Sequence, residues 1–356
     1  MSKPLKVRRL LYPLAWIFGG IAWLRRQLYN RGLLKSYQPE IPVVCVGNIA
    51  IGGTGKTPHA DFITRTLAEN HHVAMLSRGY GRTSKGFILA NTTPEEQLTA
   101  ELIGDEPMLL HQRSPNLPLA VDEDRKDGIE ILRAYAPETD VIVMDDAYQH
   151  LSVSPTLKMI LTEYERPYFK DYPLPAGRLR EYPSAVRDAD LVVVTKVTDE
   201  QVDRDIWRKK LKINDNQPLF FTRYRYGKPE PVTQPAKGFA LDDNSEILLL
   251  TGIARSNPLM ENLQQTYHIA RHFKFQDHHR YTSSEIENIK KYFKQNSVLF
   301  TTEKDWMRLQ YSHIKNSLSL LPVFIIPIEV EFLTEEEHTT FINILEDHVR
   351  REKKED

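Results

Sequence analysis

Gly47-Asn48-Ile49-Ala50-Ile51-Gly52-Gly53-Thr54-Gly55-Lys56-Thr57 follows an apolar run, Ile41 to Val46, and precedes a helical pattern from Lys56 to Glu69. Strand, glycine-rich loop, Lys-Thr and helix in that order read as a phosphate-binding P-loop. Gly52, Gly53 and Gly55, with Thr54 among them, let successive backbone N–H groups wrap phosphate oxygens. Lys56 brings a positive charge to the β- and γ-phosphates, Thr57 a hydroxyl for Mg²⁺, and the helix N-terminus its partial positive charge. Ala50 stands where the common pattern has its first glycine and is the other residue small enough for that place.

A second segment reads the same way. Val141 to Met144 is a buried parallel strand by composition, and it ends in Asp145-Asp146, where such a fold needs carboxylates on the Mg²⁺ side. Adjacent residues of an extended chain point to opposite faces. One acid therefore faces the metal and the other serves the substrate side or supports the first.

At 356 residues, with 41% hydrophobic and 27% charged residues, the chain has the composition of a soluble α/β body with room for two domains. Its one cysteine, Cys45, falls inside the strand that feeds the loop, so neither a disulfide framework nor a cysteine metal site is possible. Charge is divided unevenly. Lys3, Lys6, Arg8, Arg9, Arg25, Arg26, Arg31 and Lys35 make the first 39 residues basic with no acid, leaving the remainder at −9 against a total of −1. Inside this arm Leu10 to Leu24 is uncharged, carries Trp16, Phe18 and Trp23, and ends at Arg25-Arg26 with no small-residue cleavage site. As a helix it spans about 22 Å, short of the roughly 30 Å of bilayer hydrocarbon. Basic flanks around a short aromatic-apolar middle suit a helix that lies on a membrane surface bearing anionic lipid. Nucleic acid is not expected as a partner, because the basic residues form no continuous stripe and the body would repel phosphate backbones. Nothing marks an obligate protein partner.

Beyond the loop, short β-branched runs alternate with helical patterns, as in βα units on a parallel sheet: His72 to Ser77, Leu117 to Val121, Thr139 to Met144, Leu157 to Leu161 and Leu191 to Thr195. The polar, proline-bearing stretch Tyr226 to Lys237 reads as a linker, followed by a second α/β set from Ile247 to a final helix beginning near Thr334. The charged end, Arg350 to Asp356, reads as a solvated tail. Polar clusters follow several strands: Ser77-Arg78-Gly79-Tyr80-Gly81-Arg82, Gly104-Asp105-Glu106-Pro107, Gln149-His150, Arg178-Leu179-Arg180-Glu181, Phe275-Gln276-Asp277-His278-His279 and Thr302-Glu303-Lys304-Asp305. Loops after strands are where α/β folds carry their sites.

Taken in order, these motifs, with Gly-Gly-Thr-Gly-Lys-Thr-Pro, Asp-Asp-Ala-Tyr-Gln-His and the Pro175-to-Glu181 segment Pro-Ala-Gly-Arg-Leu-Arg-Glu, resemble the tetraacyldisaccharide 4′-kinase (lipid A 4′-kinase) family over nearly the whole chain. The resemblance implies a P-loop kinase at the cytoplasmic face of the bacterial inner membrane. Its substrates are ATP, with Mg²⁺, and the lipid A precursor, a tetraacylated glucosamine disaccharide 1-phosphate that accepts the γ-phosphate on its 4′-hydroxyl. Carried over by motif, Asp105 is implied as the catalytic carboxylate and His278 as its partner, with His279 an adjacent alternative. Thr57, Asp145 and Asp146 are implied on the metal side, and Arg78, Glu106, His150 and Arg180 are candidates for substrate contact. The expected layout is a membrane-binding helix in residues 1–36, a P-loop domain in 37–215, a linker in 216–240 and a smaller α/β domain in 241–356 that closes the cleft.

Two other classes compete. A membrane-associated nucleotide switch of the partition type carries a similar loop, but with a lysine where Ile51 stands. A GTPase needs Asn-Lys-x-Asp after a late strand, and Thr195-Lys196-Val197-Thr198 has only the lysine.

Overall fold

Val43–Gly47 (β1), Val73–Ser77 (β2), Ile88–Leu89 (β3), Leu119–Val121 (β4), Val141–Asp145 (β5), Leu157–Glu163 (β6), Leu191–Thr195 (β7) and Leu219–Tyr226 (β8) are the first eight strands in chain order. Six follow: Glu230–Pro231 (β9), Glu246–Thr251 (β10), Ile269–Lys274 (β11), Ser297–Thr302 (β12), Val323–Ile326 (β13) and Ile328–Phe332 (β14). The structure is a computed structural model that describes residues 10–199, 201–242 and 244–352. Lys3, Lys6, Arg8, Arg9 and residues 353–356 of the charged tail lie outside the described residues.

Among the described residues the strands form two sheets, one in the order β14-β8-β7-β6-β1-β5-β2-β4-β3 and one in the order β11-β10-β12-β13-β9. The seven inner strands of the larger sheet run parallel, and its edges β14 and β3 are antiparallel. Parallel strands covered on both faces need apolar residues at every position, and β1, β2, β5 and β7 are buried throughout. Val43 and Cys45 face one layer with Leu76 and Met144, while Val44 and Val46 face the other with Met75, Val143 and the helix residues Ala60 and Ile63. Two cores thus sandwich one sheet. β1 lies at its middle, with β5 and β2 to one side and β6 and β7 to the other. Open α/β sheets leave a crevice beyond the carboxyl ends of the strands at such a reversal, and the glycine-rich loop leaves β1 there.

Two segments sit elsewhere than the sequence indicates. The stretch 216–240, expected as a linker, opens with β8, a strand of the large sheet paired with β7 and β14. The end of the expected second domain also returns to that sheet. β14 pairs with β8, and Phe341, Leu345 and Val349 of the helix Glu335–Glu352 close the core over Val44 and Val193. The reason is visible in the side chains. From Arg223 onward β8 alternates arginine with tyrosine, and Arg223 and Arg225 stand directly opposite Glu331 and Glu329 of β14. Their cross-strand ion pairs hold an edge that carries no run of apolar residues.

The helix Tyr12–Asn30 seats itself on the body by a narrow face. Gly19 lies against the Tyr182 ring, where an added Cβ would come within 2.7 Å, and the Tyr182 hydroxyl donates to the Trp16 carbonyl at 2.8 Å. Arg26, expected to contribute to a lipid-facing basic flank, is instead turned inward. Its guanidinium is buried, bonds both oxygens of Glu181 at 2.6 and 2.8 Å, and lies over the Tyr148 ring. Leu14, Trp16, Ile17, Phe18, Ile21, Trp23 and Leu24 stay exposed. Among the described residues no helix is long and apolar enough to cross a membrane.

Candidate active site

The glycine-rich loop is shaped from two sides. Ile51 N–H donates to the Arg178 carbonyl at 2.8 Å and Arg180 N–H to the Ile49 carbonyl at 2.7 Å, so the 178–180 segment pairs with the loop like a short strand. On the other side the Thr195 hydroxyl donates to the Thr54 carbonyl at 2.8 Å, and the Lys196 ammonium reaches the Gly53 carbonyl while paired with Glu163 at 2.7 Å. Lys196, the one residue that matched a GTPase motif, therefore braces the loop. Gly55 has φ +96°, and a Cβ there would also meet the Tyr224 hydroxyl at 2.4 Å; both requirements need glycine. His59 anchors the following helix through the Gly55 carbonyl and the Thr222 hydroxyl. Burial pushes its imidazole down to about 4, so it is a neutral structural group.

Asp145 and Asp146 diverge. Asp145 ends β5 facing the loop and accepts from the Thr57 hydroxyl at 3.2 Å. Its second oxygen, Oδ1, is buried with no hydrogen-bond partner. Burial, then the Glu106 carboxylate, pushes its acid up to about 7. Asp146 turns away at φ +52° and lies 3.6 Å from Lys56 Nζ. Arg180 donates to it at 3.0 Å and to the Gln149 carbonyl oxygen at 3.1 Å, so this arginine is engaged in holding Asp146.

Across a cleft of about 710 Å³, the second sheet supplies the opposite wall. Asp105 opens the helix Asp105–Arg113, and its Oδ2 accepts from Arg308 Nε at 2.7 Å. His278, held at φ +58° just past β11, brings Nδ1 to 3.2 Å from Arg308 Nη2 and 3.9 Å from the same Asp105 oxygen. Asp105 and His278 thus converge on one guanidinium. Arg308 is fixed in turn by the Gly252 carbonyl and by Asp305, itself bonded by Tyr281 and by the Gly252 N–H. His279 turns away to stack on Phe275 and bond Glu285, which leaves His278 as the imidazole in the cleft. Burial, and then the neighbouring Lys304 ammonium, holds His278 below the usual imidazole range. Glu106 pairs with Lys304 at 2.8 Å; burial opposes its charge, but Lys304 dominates and draws it down to about 2.

Arg78 and His150 also line the cleft. Behind them lies Arg125, 1% exposed, with Nη1 on the Asp122 and Ser77 carbonyls and with Nε and Nη2 unpartnered. Burial, then Arg125 and Arg78, push His150 down to about 4. Arg78 and His150 thus present nitrogen atoms to the cleft, with the Arg125 charge buried behind them. Arg308 and Arg125 carry no local sequence signal; each reads as an ordinary position in a short helix. Lys304 was visible only as part of a strand-to-helix cluster.

Residues 7–349 match the sequence model of the family described as tetraacyldisaccharide-1-P 4′-kinase. The chain is 40% identical over 348 residues to the tetraacyldisaccharide 4′-kinase of Bacteroides thetaiotaomicron, covering 92% of this chain and 90% of that one. It is 38% identical over 358 residues to the protein of that name from Phocaeicola vulgatus, covering 98% and 96%. The fold matches a crystal structure of LpxK from Aquifex aeolicus in complex with ATP, with a TM-score of 0.72 at 25% identity, over 95% of this chain and 99% of that one. With the glycine-rich loop, Asp146, Glu106 and His278 lining one cleft, the chain belongs to the tetraacyldisaccharide 4′-kinase family.

Proposed function

We infer that this protein is an ATP-dependent kinase that transfers the γ-phosphate to the 4′-hydroxyl of a tetraacylated glucosamine disaccharide 1-phosphate in lipid A biosynthesis. Membership of the family supports this reading. The observation that carries it is one cleft lined by Lys56 and Thr57 on one wall and His278 on the other, with the His278 imidazole 3.9 Å from Asp105. A membrane-associated nucleotide switch is not favoured, since Ile51 takes the place of its lysine and the relatives are phosphotransferases.

The loop 52–57 holds the triphosphate by backbone N–H groups and Lys56. Thr57 and Asp145 would hold Mg²⁺, with Asp146 beside them. The unpartnered Asp145 Oδ1 and its raised acid constant fit a carboxylate placed for a cation. When bound, the ion neutralises charge on the phosphate oxygens. Asp105 takes the proton of the 4′-hydroxyl as that oxygen attacks the γ-phosphorus, with Arg308 and neutral His278 fixing the carboxylate. Arg78 and His150, which line the cleft, suit contact with the phosphate that the disaccharide already carries. The exposed apolar face of Tyr12–Asn30 suits the cytoplasmic surface of the inner membrane, where a substrate with four acyl chains is retained at about 0.8 kcal/mol per methylene.

Incubation with labelled ATP, Mg²⁺ and the acylated disaccharide should place the label on the 4′-oxygen, located by NMR. Lys56→Ala should lower turnover at least about 1,000-fold. Undiminished turnover in that variant removes the role given to the loop, and an unlabelled disaccharide with the wild-type enzyme removes the kinase reading.

A further inference from the structure

Two lysines from opposite walls of the cleft bear on one carboxylate. Lys56 follows the glycine-rich loop of the large sheet, and Lys304 begins the helix after β12 of the small one; both act on the charge of Glu106. The Lys304 ammonium lies 2.8 Å from Glu106 Oε1 and 3.3 Å from His278 Nε2. An ammonium has three donors in fixed tetrahedral directions. One is directed at Glu106; the His278 ring, whose Nδ1 already faces the Arg308 guanidinium, offers the ammonium no second acceptor, so the others are left for the cleft, which Lys304 lines.

Arg78 also faces the cleft, whereas several other cations in and around it are held by carboxylates. Arg180 is held by Asp146, Lys196 by Glu163 and the Gly53 carbonyl, Arg308 by Asp105 and Asp305, and Arg113 by Glu303 and Asp61. Lys304 lies at the Nε2 edge of His278, and its pairing carboxylate also feels Lys56. Both lysines line the cleft, and a transferred phosphoryl group spreads its charge over oxygens that such cations can meet.

We propose that Lys304 is a catalytic residue, a second cation brought by the small sheet to the transferred phosphoryl group, with Glu106 holding it in place. The inference rests on the kinase reading above. In the step, the bond from the β,γ-bridging oxygen to the γ-phosphorus breaks and its electrons stay on ADP. The sugar oxygen bonds the phosphorus, its proton goes to Asp105, and Lys304 donates to a γ-phosphoryl oxygen throughout. Lys56 stabilises nucleotide and transition state together, whereas Lys304 meets the phosphoryl group as it leaves the loop. Its contribution therefore belongs in kcat.

The test compares full-length wild type, Lys304→Met and Lys304→Arg by initial rates with ATP, Mg²⁺ and the acylated disaccharide, alongside calorimetric ATP binding. Lys304→Met should lose roughly 100- to 1,000-fold in kcat, as for loss of one preorganised donor, with both KM values and the ATP Kd within about threefold. Lys304→Arg, which keeps charge at the same place, should recover at least a tenth of the wild-type rate. Should Lys304→Met bind no ATP because it misfolds, Lys304→Gln, which keeps a polar tip for Glu106, is read instead. A kcat within threefold of wild type in a folded neutral variant, a loss confined to KM or to ATP affinity, or a Lys304→Arg enzyme as slow as the neutral one overturns the proposal. Wild-type enzyme that labels no disaccharide overturns the kinase reading itself.

Discussion

An aspartate that is to take a proton from an alcohol must be held without being neutralised, and Arg308 meets that need by donating to one oxygen of Asp105, Oδ2, at 2.7 Å. Because Asp105 and His278 meet through the same guanidinium, they should behave as one unit. Asp105→Ala and His278→Ala should each lower kcat, and the double variant should be little slower than Asp105→Ala; losses that multiply in full argue against the unit. The pH profile bears on His278. Its imidazole is held below the ordinary imidazole value of 6.5 by burial first and the Lys304 cation next. A lowered constant means the ring stays neutral to more acid pH, so any acid limb of kcat/KM above about 6.5 should belong to Asp145, pushed up to about 7, and should persist in His278→Ala. Loss of such a limb in His278→Ala would contradict the neutral-imidazole role. What local sequence displays at this scale is what depends on adjacent residues: glycines 52, 53 and 55 before Lys56-Thr57, and the Asp145-Asp146 pair at a strand end. Arg308 stayed hidden because its partner Asp105 is 203 positions away. Arg125 was hidden too, since nothing in the first turn of an ordinary helix announces that its guanidinium is buried with two nitrogens unpartnered.

Helix Tyr12–Asn30 illustrates what an element adds to its residues. Arg26 leads by a chain of side-chain contacts to the glycine-rich loop: Glu181 at 2.6 Å, Gln149 from Glu181 at 3.2 Å, Arg180 from Gln149 at 3.1 Å and Asp146 from Arg180 at 3.0 Å, with Lys56 at 3.6 Å beyond. Removing Arg26 leaves Glu181 buried and uncompensated, a change that costs on the order of 3–5 kcal/mol. Arg26→Met should therefore raise amide hydrogen exchange across Tyr12–Asn30 and lower kcat roughly tenfold, the size of coupling carried by one side-chain network. Glu181→Gln should do the same, and the double variant should add little. Unchanged exchange in Arg26→Met would show that the arginine does not seat the helix. Elements rich in β-branched residues, such as β1, β5 and β7, are legible because a strand buried on both faces permits little else. β8 and β14 are not, because their Arg-Tyr and Glu-Val alternations are stabilised by each other across about a hundred residues of intervening chain, and neither half has a pattern of its own.

Seen whole, the molecule separates the face that seats the helix from the face that remains bare. Gly19 and Arg26 meet the body through Tyr182, Glu181 and Tyr148, while Trp16, at 66% exposed, and Ile21, at 65%, point away from it. Charge follows the same division: the arm is basic and the rest of the chain carries −9, so an anionic bilayer attracts one end and repels the other. Such a molecule approaches a membrane with the helix down, and the long returning segment from β14 through Glu335–Glu352 ties the large sheet together on the side of the glycine-rich loop helix. Binding strength at an interface scales with buried apolar area. Trp16→Glu with Ile21→Glu should therefore weaken sedimentation with phosphatidylglycerol-containing vesicles by roughly 100-fold or more, two charged side chains each costing on the order of 2–3 kcal/mol in an apolar setting. Because neither side chain takes part in the seat, hydrogen exchange of the helix backbone and calorimetric ATP binding should match wild type. Partitioning unchanged by both substitutions would mean that the bare face is not what meets the lipid, whereas loss of ATP binding would mean that the two faces of the helix are not independent.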